Sequence, residues 1–73
     1  MVDILKKTLA ENLEKLRKER GETHIEMSKK LGISRATLYN YLTMRWAVST
    51  EVLYMIWERY GVSPNEMMKI TKD

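Results

Sequence analysis

The sequence predicts an all-α protein, a compact five-helix bundle. Three observations point there. Leu5, Leu9, Leu13 and Leu16 recur at helical spacing in the first segment. Two capping boxes, Thr23-His24-Ile25-Glu26 and Ser63-Pro64-Asn65-Glu66, mark helix starts further on. No run of alternating β-branched residues occurs, and Pro64 is the only proline.

The first helix takes Asp3 as its N-cap and buries the leucine stripe. It ends at Gly21, after the basic residues Arg17, Lys18 and Arg20. The second, about residues 23–31, opens on the Thr23 box, carries Met27 and Leu31 as its apolar pair, and stops at Gly32. Ser34 caps a third, about 34–42, with Ile33 just before it. So few residues between helices two and three force a steep crossing, as in a helix-turn-helix. Residues 43–49 lack periodicity and read as a loop. Ser49 or Thr50 caps the fourth helix, whose core positions are expected at Leu53, Ile56, Trp57 and Tyr60, and Gly61 ends it. Pro64 at the first helical position starts a short fifth helix through Met67 and Met68. Thr71, Lys72 and Asp73 are expected to fray.

Composition bounds the function. A chain of 73 residues is expected to form a single domain, residues 1–73. With no Cys and one His, neither a disulfide framework nor a metal site is expected, nor any cofactor or small-molecule ligand. An enzyme is not expected either, because there is no Gly-rich phosphate loop and no nucleophile–base set. Glu11 and Glu14 read as a solvated helix face. No apolar run approaches the roughly 18 residues of a membrane span, and the amphipathic N-terminus does not resemble a signal peptide, so a cytoplasmic location is expected. Net charge is +3, and residues 32–50 hold Arg35 and Arg45 without any acidic residue. Such a gap suits a polyanion partner.

The order of these signals carries a resemblance. ENLEKLRKERGETHIEMSKKLGISRATLYNYL, followed by STEVLYMIWERYGVSPNEM, resembles the helix-turn-helix domain of the Cro and phage-repressor family over about residues 10–68. The resemblance implies double-stranded DNA as partner, with the third helix in the major groove and the start of the second against the backbone. It also implies a transcriptional regulator in a prokaryotic, phage or plasmid setting, with repression by occlusion the simplest action.

Helical geometry agrees about the exposed face. If Leu38, with Tyr41 or Leu42 one turn on, holds the third helix to the bundle, positions 35, 36, 39 and 40 lie opposite. By resemblance Arg35, Ala36, Tyr39 and Asn40 face base edges. Arg35 suits guanine O6 and N7, and Asn40 suits adenine N6 and N7. Tyr39 could meet a thymine methyl or a phosphate, while Ala36 offers a methyl contact. Thr23, His24, Thr43 and Arg45 are the expected phosphate contacts. Family members usually carry Gln at position 24; a His there implies binding that strengthens at mildly acidic pH, a response His24→Gln should lose.

Three departures stand out. The family often pairs an Arg at position 17 with a Glu at position 42; here Arg17 stays but Leu42 replaces the acid, so Arg17 is expected to find solvent, another acid or a carbonyl. A Gly common near position 44 is absent. Apolar residues occupy positions usually polar, and Trp46, Val52, Met55, Met67 and Met68 are expected to build a homodimer surface. A homodimer would set two recognition helices on an inverted-repeat operator. The competing reading is a protein-interaction module (antirepressor, antitoxin or adaptor) on the same fold, whose binding would respond weakly to salt.

Overall fold

The local start signals decide where the chain turns. In the computed structural model, residues 2–69 are described, with side chains from residue 4 onward. They form α1 (Val2–Glu19), α2 (His24–Leu31), α3 (Arg35–Leu42), α4 (Thr50–Tyr60) and α5 (Pro64–Met67). Both capping boxes are made. Glu26 N–H donates to Thr23 Oγ1 at 3.1 Å while Thr23 N–H donates to Glu26 Oε1 at 2.8 Å, and Ser63 and Glu66 repeat the pattern. Ser34 caps α3 and Ser49, rather than Thr50, caps α4. Each cap of this kind contributes about 1 kcal/mol. α1 already begins at Val2, so position 3 lies inside the helix rather than before it. The expected fraying of residues 71–73 lies outside the described residues.

Between α2 and α3 the chain reverses on Gly32 at φ 71°, with the Ile33 amide donating to the Ser28 carbonyl at 3.0 Å. A side chain at that φ would be strained, so glycine is what allows so short a turn. Ser28 is buried against it, and its hydroxyl donates to the Ile25 carbonyl within its own helix. Packed this way, α3 lies on α1 and α2, α4 on α2 and α5, and α5 returns to α1.

One core joins all five helices: Leu9, Leu13 and Leu16 from α1, Met27 and Leu31 from α2, Leu38 and Tyr41 from α3, Val52, Ile56 and Tyr60 from α4, and Met67 from α5. Each fully buried Leu, Ile or Met contributes about 1.5–3 kcal/mol.

The stripe on α4 differs from the expected one. Val52, Ile56 and Tyr60 face inward at i, i+4, i+8, and Trp57 is 54% exposed. Apolar residues surround most of this helix, so periodicity could not fix its rotation; packing between α2 and α5 does. Leu5 is likewise 43% exposed, beyond the part of α1 that its neighbours cover. Met67 is buried, because Asn12 Nδ2 donates to the Met67 carbonyl at 2.6 Å and the Lys69 carbonyl at 3.0 Å, tying this single turn to α1. Val52 and Met67 therefore belong to the core and drop out of the expected homodimer surface. Met55 is half-buried, packed against the core.

After α3, Met44 takes the place where glycine was expected, and the backbone keeps glycine's path. Its φ is 65°; Met44 N–H donates to Tyr41 O and Arg45 N–H to Asn40 O at 2.9 Å, closing the end of the helix. A left-handed non-glycine residue costs about 1–2 kcal/mol. Met44 is largely exposed and gives little burial in return. Met44→Gly is therefore expected to stabilise the protein by about 1 kcal/mol, a rise of roughly 4–8 °C in Tm for a domain of this size, measured by thermal melting.

A polar clamp fixes the other end of the bundle. Tyr60 Oη donates to Glu22 Oε1 at 2.6 Å, Lys30 Nζ donates to Glu22 Oε2 at 3.0 Å, and Arg20 Nη2 donates to the Tyr60 carbonyl. Lys30 also lies 4.5 Å from the Tyr60 ring centre. Burial, and then the bond to Glu22, push the Tyr60 phenol well above its ordinary 10.0. A raised pKa gives stability that is complete below the unfolded value and lost as pH rises past it. Unfolding free energy should thus fall above pH 10, and Tyr60→Phe should flatten that alkaline limb in urea titrations at successive pH values.

Candidate nucleic-acid interface

α3 exposes one wall of a groove of about 630 Å³, lined by Glu14, His24, Arg35, Ala36, Tyr39 and Leu42. Leu38, fully buried, and Tyr41, nearly so, hold the opposite side of the helix; Leu42 is half-buried, packed against the core while also lining the groove. Arg35 is the first residue after the Ser34 cap, whose oxygen accepts from Thr37 N–H and whose hydroxyl donates to Thr37 Oγ1. The cap fixes where Arg35 leaves the helix, and Tyr39 follows one turn later, 65% exposed. Asn40 is half-buried and lies off the groove, so three of the four expected base-facing residues come together and the fourth stands apart.

The phosphate candidates also separate. His24 is on the groove wall with half its side chain exposed. Of the four amides at the start of α2, the capping box uses those of Thr23 and Glu26. Helix geometry leaves His24 and Ile25 N–H to face outward, where a helix N-terminus favours an anion. Thr23 keeps only its own cap role in the free protein. Thr43 is exposed, but its hydroxyl donates to the Tyr39 carbonyl at 2.8 Å. Arg45 is exposed in the segment after α3. Trp46, half exposed, meets Tyr41 edge-on at 6.5 Å between ring centres.

Glu14 changes the electrostatic picture. Sequence separation left residues 32–50 free of acid, yet α1 brings this carboxylate to the groove beside Arg35 and His24. It is also the partner Arg17 was expected to need. Arg17 Nε donates to Glu14 Oε1 at 3.0 Å and Nη2 to Oε2 at 2.6 Å, while Nη1 donates to the Glu22 carbonyl at 2.7 Å. The Arg17 bond holds the Glu14 carboxyl below its ordinary range. Glu14 is thus not a freely solvated residue as its helix face suggested. The signal available in sequence was the i, i+3 spacing of Glu14 and Arg17, together with the missing acid at position 42.

The profile of the Cro/C1-type HTH (helix-turn-helix) DNA-binding domain matches residues 12–73, most of the chain. The chain belongs to that family. Cro/C1-type membership makes DNA its partner and DNA-binding regulation of transcription its role. In Cro/C1-type terms α2 and α3 are the helix-turn-helix, and the groove beside Arg35 and His24 opens on the face expected to meet DNA. Comparison with curated proteins and with solved structures finds no match. Among the described residues no helix is long and apolar enough to cross a membrane.

Proposed function

We propose that this chain is a sequence-specific repressor that reads double-stranded DNA with α3 in the major groove. The observation that carries the reading is the exposed row Arg35, Ala36 and Tyr39, set on a helix whose other side is anchored by Leu38 and Tyr41, with His24 and the start of α2 across the groove. Arg35 would supply a two-bond contact to a base, with Ala36 and Tyr39 beside it along the groove, while Asn40 would meet a base only from the flank of the helix. His24, Thr23, Thr43 and Arg45 would hold phosphates and set the register. Repression by occlusion is the simplest action for a helix-turn-helix seated on DNA, acting in the cytoplasm on the nucleoid rather than as an enzyme.

Selection of bound sequences from random duplexes at low salt tests this. Enrichment of an inverted repeat supports the reading. Absence of any enrichment, with binding indifferent to salt, transfers the groove to a protein partner instead.

An inverted repeat calls for a homodimer. The apolar surface that supports one is a groove of about 500 Å³ whose lining includes Leu5, Val48, Leu53, Tyr54, Trp57 and Met68, with no charged side chain among the described residues that line it. Tyr54 and Trp57 are more than half exposed at its edge. Met68 remains from the expected set, and Trp46 sits in the neighbouring segment; Leu5, Tyr54 and Trp57 replace Val52 and Met67. Aromatic anchors of this size dominate interface energies when buried. Trp57→Glu is expected to leave the fold intact and shift sedimentation from dimer to monomer, weakening operator binding by at least tenfold, about 1.4 kcal/mol.

A further inference from the structure

We infer that Glu14 is a positioning residue for DNA binding: it holds the His24 imidazole against α1 in the free protein, and a backbone phosphate must take the imidazole from it. The inference rests on the reading of His24 as a phosphate contact.

Glu14 is fixed in place. Both its oxygens accept from Arg17, and Arg17 is tied in turn to the Glu22 carbonyl at the start of the turn into α2. The Arg17 side chain is only 15% exposed, so the pair does not swing freely. Against this fixed carboxylate, Glu14 Oε1 lies 3.5 Å from His24 Nε2. His24 is the first residue of α2, beside the outward amides that suit an anion. A phosphate accepting from those amides comes within reach of the same ring, and the ring cannot serve carboxylate and phosphate equally well.

The charges around the ring set the sign. From α1 come Glu14, Arg17 and Lys18; from α3, Arg35 and the Tyr39 phenol; from α2 itself, Glu26, whose carboxylate is engaged by the Thr23 amide. Arg17 holds the Glu14 carboxylate on one side, and His24 stands 3.5 Å from it on the other. A charged imidazole is attracted to the Glu14 carboxylate 3.5 Å away, and DNA binding has to overcome that attraction. Removing the carboxylate frees the ring for phosphate, with the largest gain where the histidine is charged.

The experiment is a double-mutant cycle of Glu14→Gln and His24→Gln, with binding to a mixed-sequence duplex measured at about pH 6 and about pH 8. A mixed-sequence duplex reads phosphate contacts without base recognition. With His24 present, at about pH 6, Glu14→Gln is expected to tighten binding about threefold more than it does in the His24→Gln background, in the range of a half-exposed ion pair. The difference between backgrounds should vanish near pH 8. Equal gains in both backgrounds at both pH values overturn the inference, leaving Glu14 a general repulsive charge; so does the absence of any gain. If His24→Gln alone changes nothing at about pH 6, the phosphate reading of His24 fails and takes the inference with it. If it weakens binding but the cycle is additive, only the Glu14 role fails. Glu14→Asp is the second variant, for use if loss of the carboxylate prevents folding: its shorter side chain cannot span Arg17 and His24 together, so the same pH-dependent difference, smaller in size, is expected, and its absence is decisive against the inference.

Discussion

Leu38→Ala is expected to lower the unfolding free energy by about 3 kcal/mol, the cost of removing a buried leucine and leaving its cavity. Leu38 has no exposed surface and is the central anchor of α3 against α1 and α2. A small domain has roughly 4–10 kcal/mol in total, so this one change removes a large share. α3 also gains little from its own charges: its first turn has no acidic residue and its last no basic one to favour the helix dipole. Its position is therefore set by burial. Urea unfolding should show a lower midpoint with an unchanged slope, and DNA affinity should fall with the population of ordered α3. Leu38→Met, which keeps most of the volume, is expected to cost less than about 1.5 kcal/mol. A Leu38→Ala protein as stable as the parent would mean that α3 is held by something other than its buried side.

Arg35→Ala is expected to cost about 1–3 kcal/mol at one base-pair position, roughly five- to 150-fold in discrimination, with little change at the others. Arg35 leaves α3 directly after the cap and stands on the groove wall, and no ion pair to it occurs among the described residues. The alternative is a phosphate contact, which would weaken all sequences alike and reduce the salt slope by about one. Arg35→Lys separates the two: a phosphate contact survives the exchange, whereas a two-bond contact to guanine does not. Repeating the duplex selection with both variants reads the outcome directly. Uniform loss across all positions, rescued by lysine, would remove Arg35 from base recognition.

Much of the architecture was legible along the chain because its signals are local. Thr23 with Glu26, Ser34, and Ser63 with Glu66 satisfy helix-end amides within three residues, and no distant group is needed to make them work. Burial of Leu38 and exposure of Arg35, Ala36 and Tyr39 likewise follow from one helix's own periodicity. Met44 shows where that stops: the missing glycine was visible, but whether the loop kept its path depended on the closing bonds from Tyr41 and Asn40.

What the sequence by itself determined, then, is the order of the helices, the starts of α2, α3 and α5 and the side of α3 that faces out. Only the tertiary structure decided the rotation of α4, since residues 52–57 are apolar all round and such a run is turned by its neighbours and not by its own pattern; Val52 went in and Trp57 came out. It also decided the charge of the DNA-facing groove. Glu14 is far from Arg35 along the chain, yet the packing of α1 on α3 brings a carboxylate between Arg17 and His24. Electrostatic interaction depends on distance through space, and a run of residues without acid says nothing about what the next helix delivers.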